Sequence, residues 1–153
     1  MQQLDNLIHN MMSMTPLQRI TMARCSKQKI ERYAMKMGLD KEKAENFVIY
    51  YFRLFVAADA DCDFRERDLF NRTFETSFSE IRFKKMVGEA YDDAFVKKMA
   101  QVTQKMPEDL QNDVATLGLV IMCVDNELTQ SEIKLLQRLL TPEQTLLSRI
   151  TKK

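Results

Sequence analysis

The sequence predicts an all-α protein, a compact single-domain helical bundle, and three observations carry that expectation. Only three glycines and three prolines punctuate 153 residues. Apolar residues recur at spacings of three and four, the period of a helix face, and do not alternate as in a strand. One segment is also written twice. Asp59-Ala-Asp-Cys-Asp63-Phe-Arg-Glu66 and Asp125-Asn-Glu-Leu-Thr129-Gln-Ser-Glu132 stand 66 residues apart (125 − 59 = 66). Beyond them Leu69, Phe70, Arg72 and Phe74 align with Leu135, Leu136, Arg138 and Leu140. Each copy is an apolar helical stretch ending in an acid, a short acidic turn and a helix opening with glutamate, which predicts two pseudo-repeated helix–acidic turn–helix units. Residues 1–153 read as one domain, with a helical extension over about 1–39 and a repeat-bearing core over about 40–153.

Taken in order, Leu4, Leu7, Ile8 and Met11 mark a first amphipathic segment. Thr15-Pro16 then supplies an N-cap with proline at the first helical position. The helix that follows carries Leu17, Ile20, Ile30, Tyr33 and Met37 toward Gly38, whose tolerance of positive φ suits the residue just past a helix end. Asp40 is placed to cap the next helix, which runs through Phe47, Tyr51, Leu54, Phe55 and Ala58. Asp63 and Glu66 have the spacing of a capping box, and Phe70 and Phe74 beyond them face inward. Ser79, Asp92 or Asp93, and Pro107 mark later helix starts, and Thr141-Pro142 opens a last one. The predicted core joins Leu54, Phe55 and Phe70 of the first unit to Val120, Ile121 and Leu136 of the second.

Composition narrows the function. Twenty-three basic residues against 22 acidic ones leave a net charge of +1, so no long-range field steers the whole molecule toward nucleic acid. The longest nearly apolar stretch, from Phe47 to Ala58, is interrupted by Arg53 and falls short of the roughly 20 residues of a membrane span. Met1 to Met14 lacks the basic start and continuous apolar core of a secretory signal. Three widely separated cysteines, Cys25, Cys62 and Cys123, form no metal or redox pair and suit a reducing cytoplasm.

Two readings stand open at the repeated turn. In one it is a structural device: the leading aspartate folds an Asx turn, Asp63 or Thr129 caps the next helix, and Glu132 reaches back to the cap amide. Each such cap contributes about 1 kcal/mol. In the other, Asp59, Asp61, Asp63 and Glu66 crowd so many like charges together that a divalent cation relieves their repulsion. Oxygen donors of this kind select calcium or magnesium. The EF-hand template does not apply, because Phe64 and Phe70 occupy the sixth and twelfth positions, where it requires glycine and glutamate.

Arg53-Leu-Phe-Val-Ala-Ala-Asp59 and Leu117-Gly-Leu-Val-Ile-Met-Cys-Val-Asp125, each followed by turn, acid and helix-opening glutamate, resemble the paired hallmarks of the tellurite-resistance TerB-like domains. The resemblance covers about Phe47 to Leu140. It implies a bacterial, cytoplasmic, all-helical and non-enzymatic binding or scaffolding module linked to metal and oxyanion stress. The resemblance also implies a protein partner and leaves peripheral membrane association open, while the near-neutral charge argues against nucleic acid. Carried over by position, the cation ligands are Asp59, Asp61, Asp63 and Glu66 in the first turn and Asp125, Glu127 and Glu132 in the second. The family's glycine after the leading aspartate is Ala60 here and Asn126 in the second copy.

Weaker signals have structural readings. His9 is the sole histidine, on an amphipathic segment, and no nucleophile or phosphate loop accompanies it. The basic run Arg24, Lys27, Lys29, Arg32, Lys36, Lys41 and Lys43 is interleaved with Glu31, Asp40 and Glu42 and reads as a solvated face. The eleven methionines read as core filling, with Met11, Met12 and Met14 as the exception that best suits an adaptable partner groove. A plain helical adaptor, whose turns are only caps, and a metal-dependent hydrolase built on the aspartate cluster are the competing functions.

Overall fold

The computed structural model describes residues 2–58, 64–88, 92–124 and 129–140, which form eight helices and, among them, no strand. They are α1 (Gln2–Met12), α2 (Pro16–Lys36), α3 (Lys41–Ala58), α4 (Phe64–Phe74), α5 (Glu80–Gly88), α6 (Asp93–Gln104), α7 (Glu108–Met122) and α8 (Gln130–Leu139). None is long and apolar enough to cross a membrane. The expected helix from Thr141 lies outside the described residues.

Local chemistry sets the boundaries. Thr15 accepts from the amide of Gln18 at 3.2 Å while the Gln18 side chain accepts from the amide of Thr15 at 2.9 Å, a reciprocal pair that orients the start of α2. At its other end Gly38 takes φ +105°. That turn lets the amides of Gly38 and Leu39 reach back to the carbonyls of Met35 and Ala34. Asp40 caps α3 through the amide of Lys43 at 2.8 Å, Ser79 caps α5 through Arg82, and Asp92 caps α6 through Phe95 at 2.7 Å. Pro107, just before α7, has no amide hydrogen to leave unsatisfied. Glu75 ends α4 at φ 56°, a left-handed position without glycine. Asn71 braces the chain beyond, accepting from the hydroxyl of Thr76 and the amide of Phe78 at 2.9 Å each.

Packing is organised around α7, whose residues from Leu117 to Met122 are all buried. Helix α2 lies along α7 and α3, α3 lies against α7, α4 against α2, and α6 against α8. Leu54, Phe55, Phe70, Val120, Ile121 and Leu136 all belong to one core with essentially no exposure. Phe70 is the hub of its aromatic part, with ring centroids at 4.8 Å from Phe74, 5.2 Å from Phe52 and 5.6 Å from Phe83. One hydroxyl chain crosses the interior: Tyr51 donates to Thr103 at 2.6 Å, and Thr103 to the carbonyl of Met99 at 2.6 Å. Burial pushes the Tyr51 hydroxyl further toward its neutral form.

The 66-residue offset carries a matching pattern of burial. In α4 the inward positions are Glu66, Leu69, Phe70, Thr73 and Phe74; their counterparts Glu132, Leu135, Leu136, Leu139 and Leu140 are buried too. The carbonyl of Arg72 accepts from the Arg24 guanidinium at 2.7 and 3.0 Å, and that of Arg138 accepts from the Gln104 amide at 3.3 Å. Both helices therefore end on a carbonyl held by a side chain from the neighbouring helix, α2 in one case and α6 in the other.

Two of the apolar residues that the sequence counts along α2 lie outside, Met37 as the residue just past its end. Leu17 is 70% exposed and Met37 69%, whereas Arg19, Ala23 and Ser26 are buried. The buried stripe of α2 runs through Arg19, Ile20, Ala23, Ser26, Ile30 and Ala34, the spacing of one helix face; Leu17 falls to the side of it and Met37 lies past the helix end.

Gly118 is the tightest point. A β-carbon there would stand 2.7 Å from the ring of Phe55, which is itself fully buried. Gly118→Ala is expected to destabilise the fold by about 1–3 kcal/mol through overpacking, more than the 0.5–1 kcal/mol or so gained by removing a mid-helix glycine. Denaturant melts check this, and Phe55→Leu in the Gly118→Ala background should recover part of the loss. Additive effects of the two substitutions would show that the ring is not the obstacle.

Candidate functional site

The second acidic turn is bracketed by described residues on both sides. Val124 follows the end of α7, where the amide of Cys123 closes onto the carbonyl of Leu119 at 2.9 Å. Thr129 opens α8: its hydroxyl accepts from the amide of Glu132 at 3.2 Å, while Glu132 Oε1 accepts from the amide and the hydroxyl of Thr129 at 2.9 and 3.0 Å. The capping box read from the sequence is therefore present at Thr129 and Glu132. Glu132 is only 2% exposed, and Glu66, at the same place in α4, only 4%. A carboxylate in the first turn of a helix also sits favourably in the helix dipole.

Of the seven carboxylates assigned as cation ligands, Glu66 and Glu132 are described; both are buried in the first turns of their helices. Asp59, Asp61, Asp63, Asp125 and Glu127 lie outside the described residues, as does the amide-capping geometry expected at Asp63. Among the described residues no three histidine, cysteine, aspartate or glutamate side chains come together as a metal-binding group.

What the described flanks do share is a surface. Val124, directly before the second turn, and Phe64, directly after the first, line one cavity of about 130 Å³ with Arg65, Asp68 and Leu69 of α4 and Pro16, Arg19 and Ile20 of α2. Its rim is apolar and open: Phe64 is 70% exposed, and Leu17 stands out beside Pro16. Arg19 is buried, its Nε donating to the carbonyl of Met11 at 3.2 Å and a terminal nitrogen to that of Met12 at 3.3 Å. It thereby satisfies two carbonyls at the end of α1 and places a cation where the helix dipole is negative. Sequence reasoning missed this groove. The available signal was Phe64 itself, a large aromatic directly after three aspartates in five residues, in the first turn of a helix.

The remaining sequence candidates resolve into structure. Lys27 pairs with Glu31 at 3.0 Å and Glu45 at 3.7 Å and lies 5.4 Å from the centre of the Phe74 ring. Lys29 pairs with Asp113 at 3.6 Å, and desolvation raises the Asp113 carboxyl against the pull of that lysine. With Arg24 on the carbonyl of Arg72, three of the seven basic residues of the run are thus engaged within the fold. His9 is exposed on α1. Met11 is buried and Met12 and Met14 pack against the core, so the cluster read as the best partner groove is core filling like the other methionines. Cys123 is buried, Cys25 is exposed and Cys62 lies outside the described residues.

Comparison with models of known families, with curated proteins and with solved structures gave no match.

The cap geometry fixes a ranking of two variants. Thr129→Ala loses the hydroxyl that bonds both the amide and the carboxylate of Glu132 and should cost about 1 kcal/mol. Glu132→Gln keeps an acceptor for the amide of Thr129 and should forfeit only the charge contribution, about 0.3–1 kcal/mol. Parallel urea melts compare them; a larger loss in Glu132→Gln would mean that the carboxylate charge serves something beyond the cap.

Proposed function

We propose that this chain is a non-enzymatic TerB-like helical binding and scaffolding module. Its groove between α2 and α4 seats a protein partner, and the acids of its two turns take up calcium or magnesium. The observation that supports this most is the shared cavity: residues on the far side of one acidic turn and the near side of the other line the same apolar surface. A cation held by either turn would neutralise charge beside that surface, which links ion uptake to partner binding. Metal and oxyanion stress is the setting that the resemblance supplies.

A second reading has an observation of its own in its favour. Because Glu132 Oε1 already holds the cap of α8, the turns serve structure alone and the module is a plain helical adaptor using the same groove.

Calorimetric titration of calcium and magnesium into metal-free protein separates the two. Uptake at the first turn should be the more favourable, since it offers Asp59, Asp61, Asp63 and Glu66 against Asp125, Glu127 and Glu132, and Asp59→Asn with Asp61→Asn should abolish most of the heat. Methyl resonances of Ile20, Leu69 and Val124 should shift on calcium addition while that of Val102 stays in place. Absence of heat in the parent protein, or equal heat in the variant, leaves the adaptor reading.

A further inference from the structure

Helix α4 carries a ridge with a different hollow on each flank. Phe64 and Asp68, one helical turn apart, both line the groove shared with α2 and also a second, wider hollow of about 650 Å³ that includes Arg67, Asn71, Arg72 and Ser77. At about 100° per residue, Arg65 and Leu69 fall on one side of the line from Phe64 to Asp68, and Arg67 and Asn71 on the other. One flank is the mainly apolar groove with Ile20, Leu69 and Val124, and the other is polar.

Asn71 fixes the far wall of the polar hollow. Its side-chain oxygen accepts from the Thr76 hydroxyl and the Phe78 amide, and its nitrogen donates to the Phe78 carbonyl at 3.2 Å. The Phe78 ring is in turn covered by the Arg82 guanidinium at 3.9 Å. Among the described residues two arginines and one aspartate line this hollow, which leaves +1 (2 − 1). Asp68 is occupied by Arg72 at 3.1 Å, and Glu80, at the start of α5, by Lys84 at 2.9 Å. Lys84, more than Arg67, lowers the Glu80 carboxyl. Glu75 lines a separate hollow with Lys27 and Lys41. Arg67 itself is partly buried and has no hydrogen bond or ion pair among the described residues.

We infer that the partner seated in the groove is an extended acidic segment lying along this ridge. Such an occupant presupposes the groove as a protein seat, the reading proposed above. Successive side chains of an extended chain point to opposite faces. A segment of alternating apolar and acidic residues therefore sends one kind into the groove and the other onto Arg67. A guanidinium meets a carboxylate through paired N–H donors, and the exposed Ser77 hydroxyl, which lines the same hollow, adds another donor. Phe64, 70% exposed between the two flanks, gains a covering chain. A nucleic acid offers charge but no aliphatic side chain for the groove, and a purely apolar segment leaves Arg67 unanswered.

Fluorescence anisotropy of a labelled octapeptide of alternating leucine and glutamate, titrated with the full chain, tests this occupant. It should bind about tenfold or more tightly than octapeptides in which lysine or serine replaces glutamate, and less tightly as salt rises. Arg67→Glu should weaken the glutamate octapeptide by about tenfold and strengthen the lysine one, an exchange that damage to the fold does not produce. Met37→Asp, at the far end of α2, should bind as the parent does. Titrations in calcium and in chelator should rank the octapeptides alike, whether or not the turns take up an ion. Equal binding of the serine octapeptide, an unchanged preference in Arg67→Glu, or binding of a single-stranded oligonucleotide in place of the peptides overturns the acidic segment. If the serine octapeptide then still shifts the methyl resonances of Ile20, Leu69 and Val124, the groove remains a protein seat. If no octapeptide shifts them, both readings fall.

Discussion

The close approach of α3 and α7, made where Gly118 leaves room for the Phe55 ring, is the contact on which the remaining architecture rests. With no side chain at residue 118 the ring seats directly on the backbone of α7. That brings Leu54, Val120 and Ile121 into the same layer. Helix α2 then covers both helices, and α4 and α8 are added on the two flanks, each by a buried stripe at equivalent positions. The end of α7 fixes Val124 and the beginning of α4 fixes Phe64 and Leu69, so the groove inherits its shape from the α3–α7 contact.

Much of this was legible in local sequence. Thr15 with Gln18, Asp40, Ser79, Asp92 and Thr129 with Glu132 are helix starts whose chemistry operates within four residues, and Gly38 is a helix end of the same kind. The burial of α3 and α7 follows from their nearly continuous apolar runs, from Phe47 to Ala58 and from Leu117 to Val124. Tertiary placement was not legible. Leu17 stands beside the buried stripe of α2 and Met37 just past its end, and which face is covered is decided by the neighbouring helices. Arg19 is buried because α1 ends above it, a fact absent from the spacing of α2. Of the candidate site, the two helix-opening glutamates were readable as caps, their burial was not, and the groove beside them depends on residues more than a hundred positions apart in the chain.

Charge in this molecule is used mostly at short range. A net charge near zero conceals a division between cations bound into the fold and cations left facing water. Lys27 shows the first kind: flanked by two glutamates and lying near the Phe74 ring, it joins α2 to α3 and α4. Arg24 and Gln104 show that a guanidinium and a neutral amide can do the same work at equivalent helix ends, since what the terminal carbonyl lacks is a donor and not a charge. Those interactions depend on packing and orientation, and are little affected by ionic strength where they are shielded from solvent.

The length of α2 has a consequence for signalling across the protein. Twenty-one residues at 1.5 Å each make a rod of about 30 Å, several times the screening length of roughly 8 Å in physiological salt. An ion arriving beside Pro16 is therefore electrostatically invisible at Lys36. Any communication between the two ends must be mechanical, as a tilt or an axial slide of α2 over α3 and α7. The tight seat at Gly118 opposes relative movement of the two helices beneath it. Exposed charges at the two ends of α2 are therefore felt independently of one another, although one stiff rod carries both.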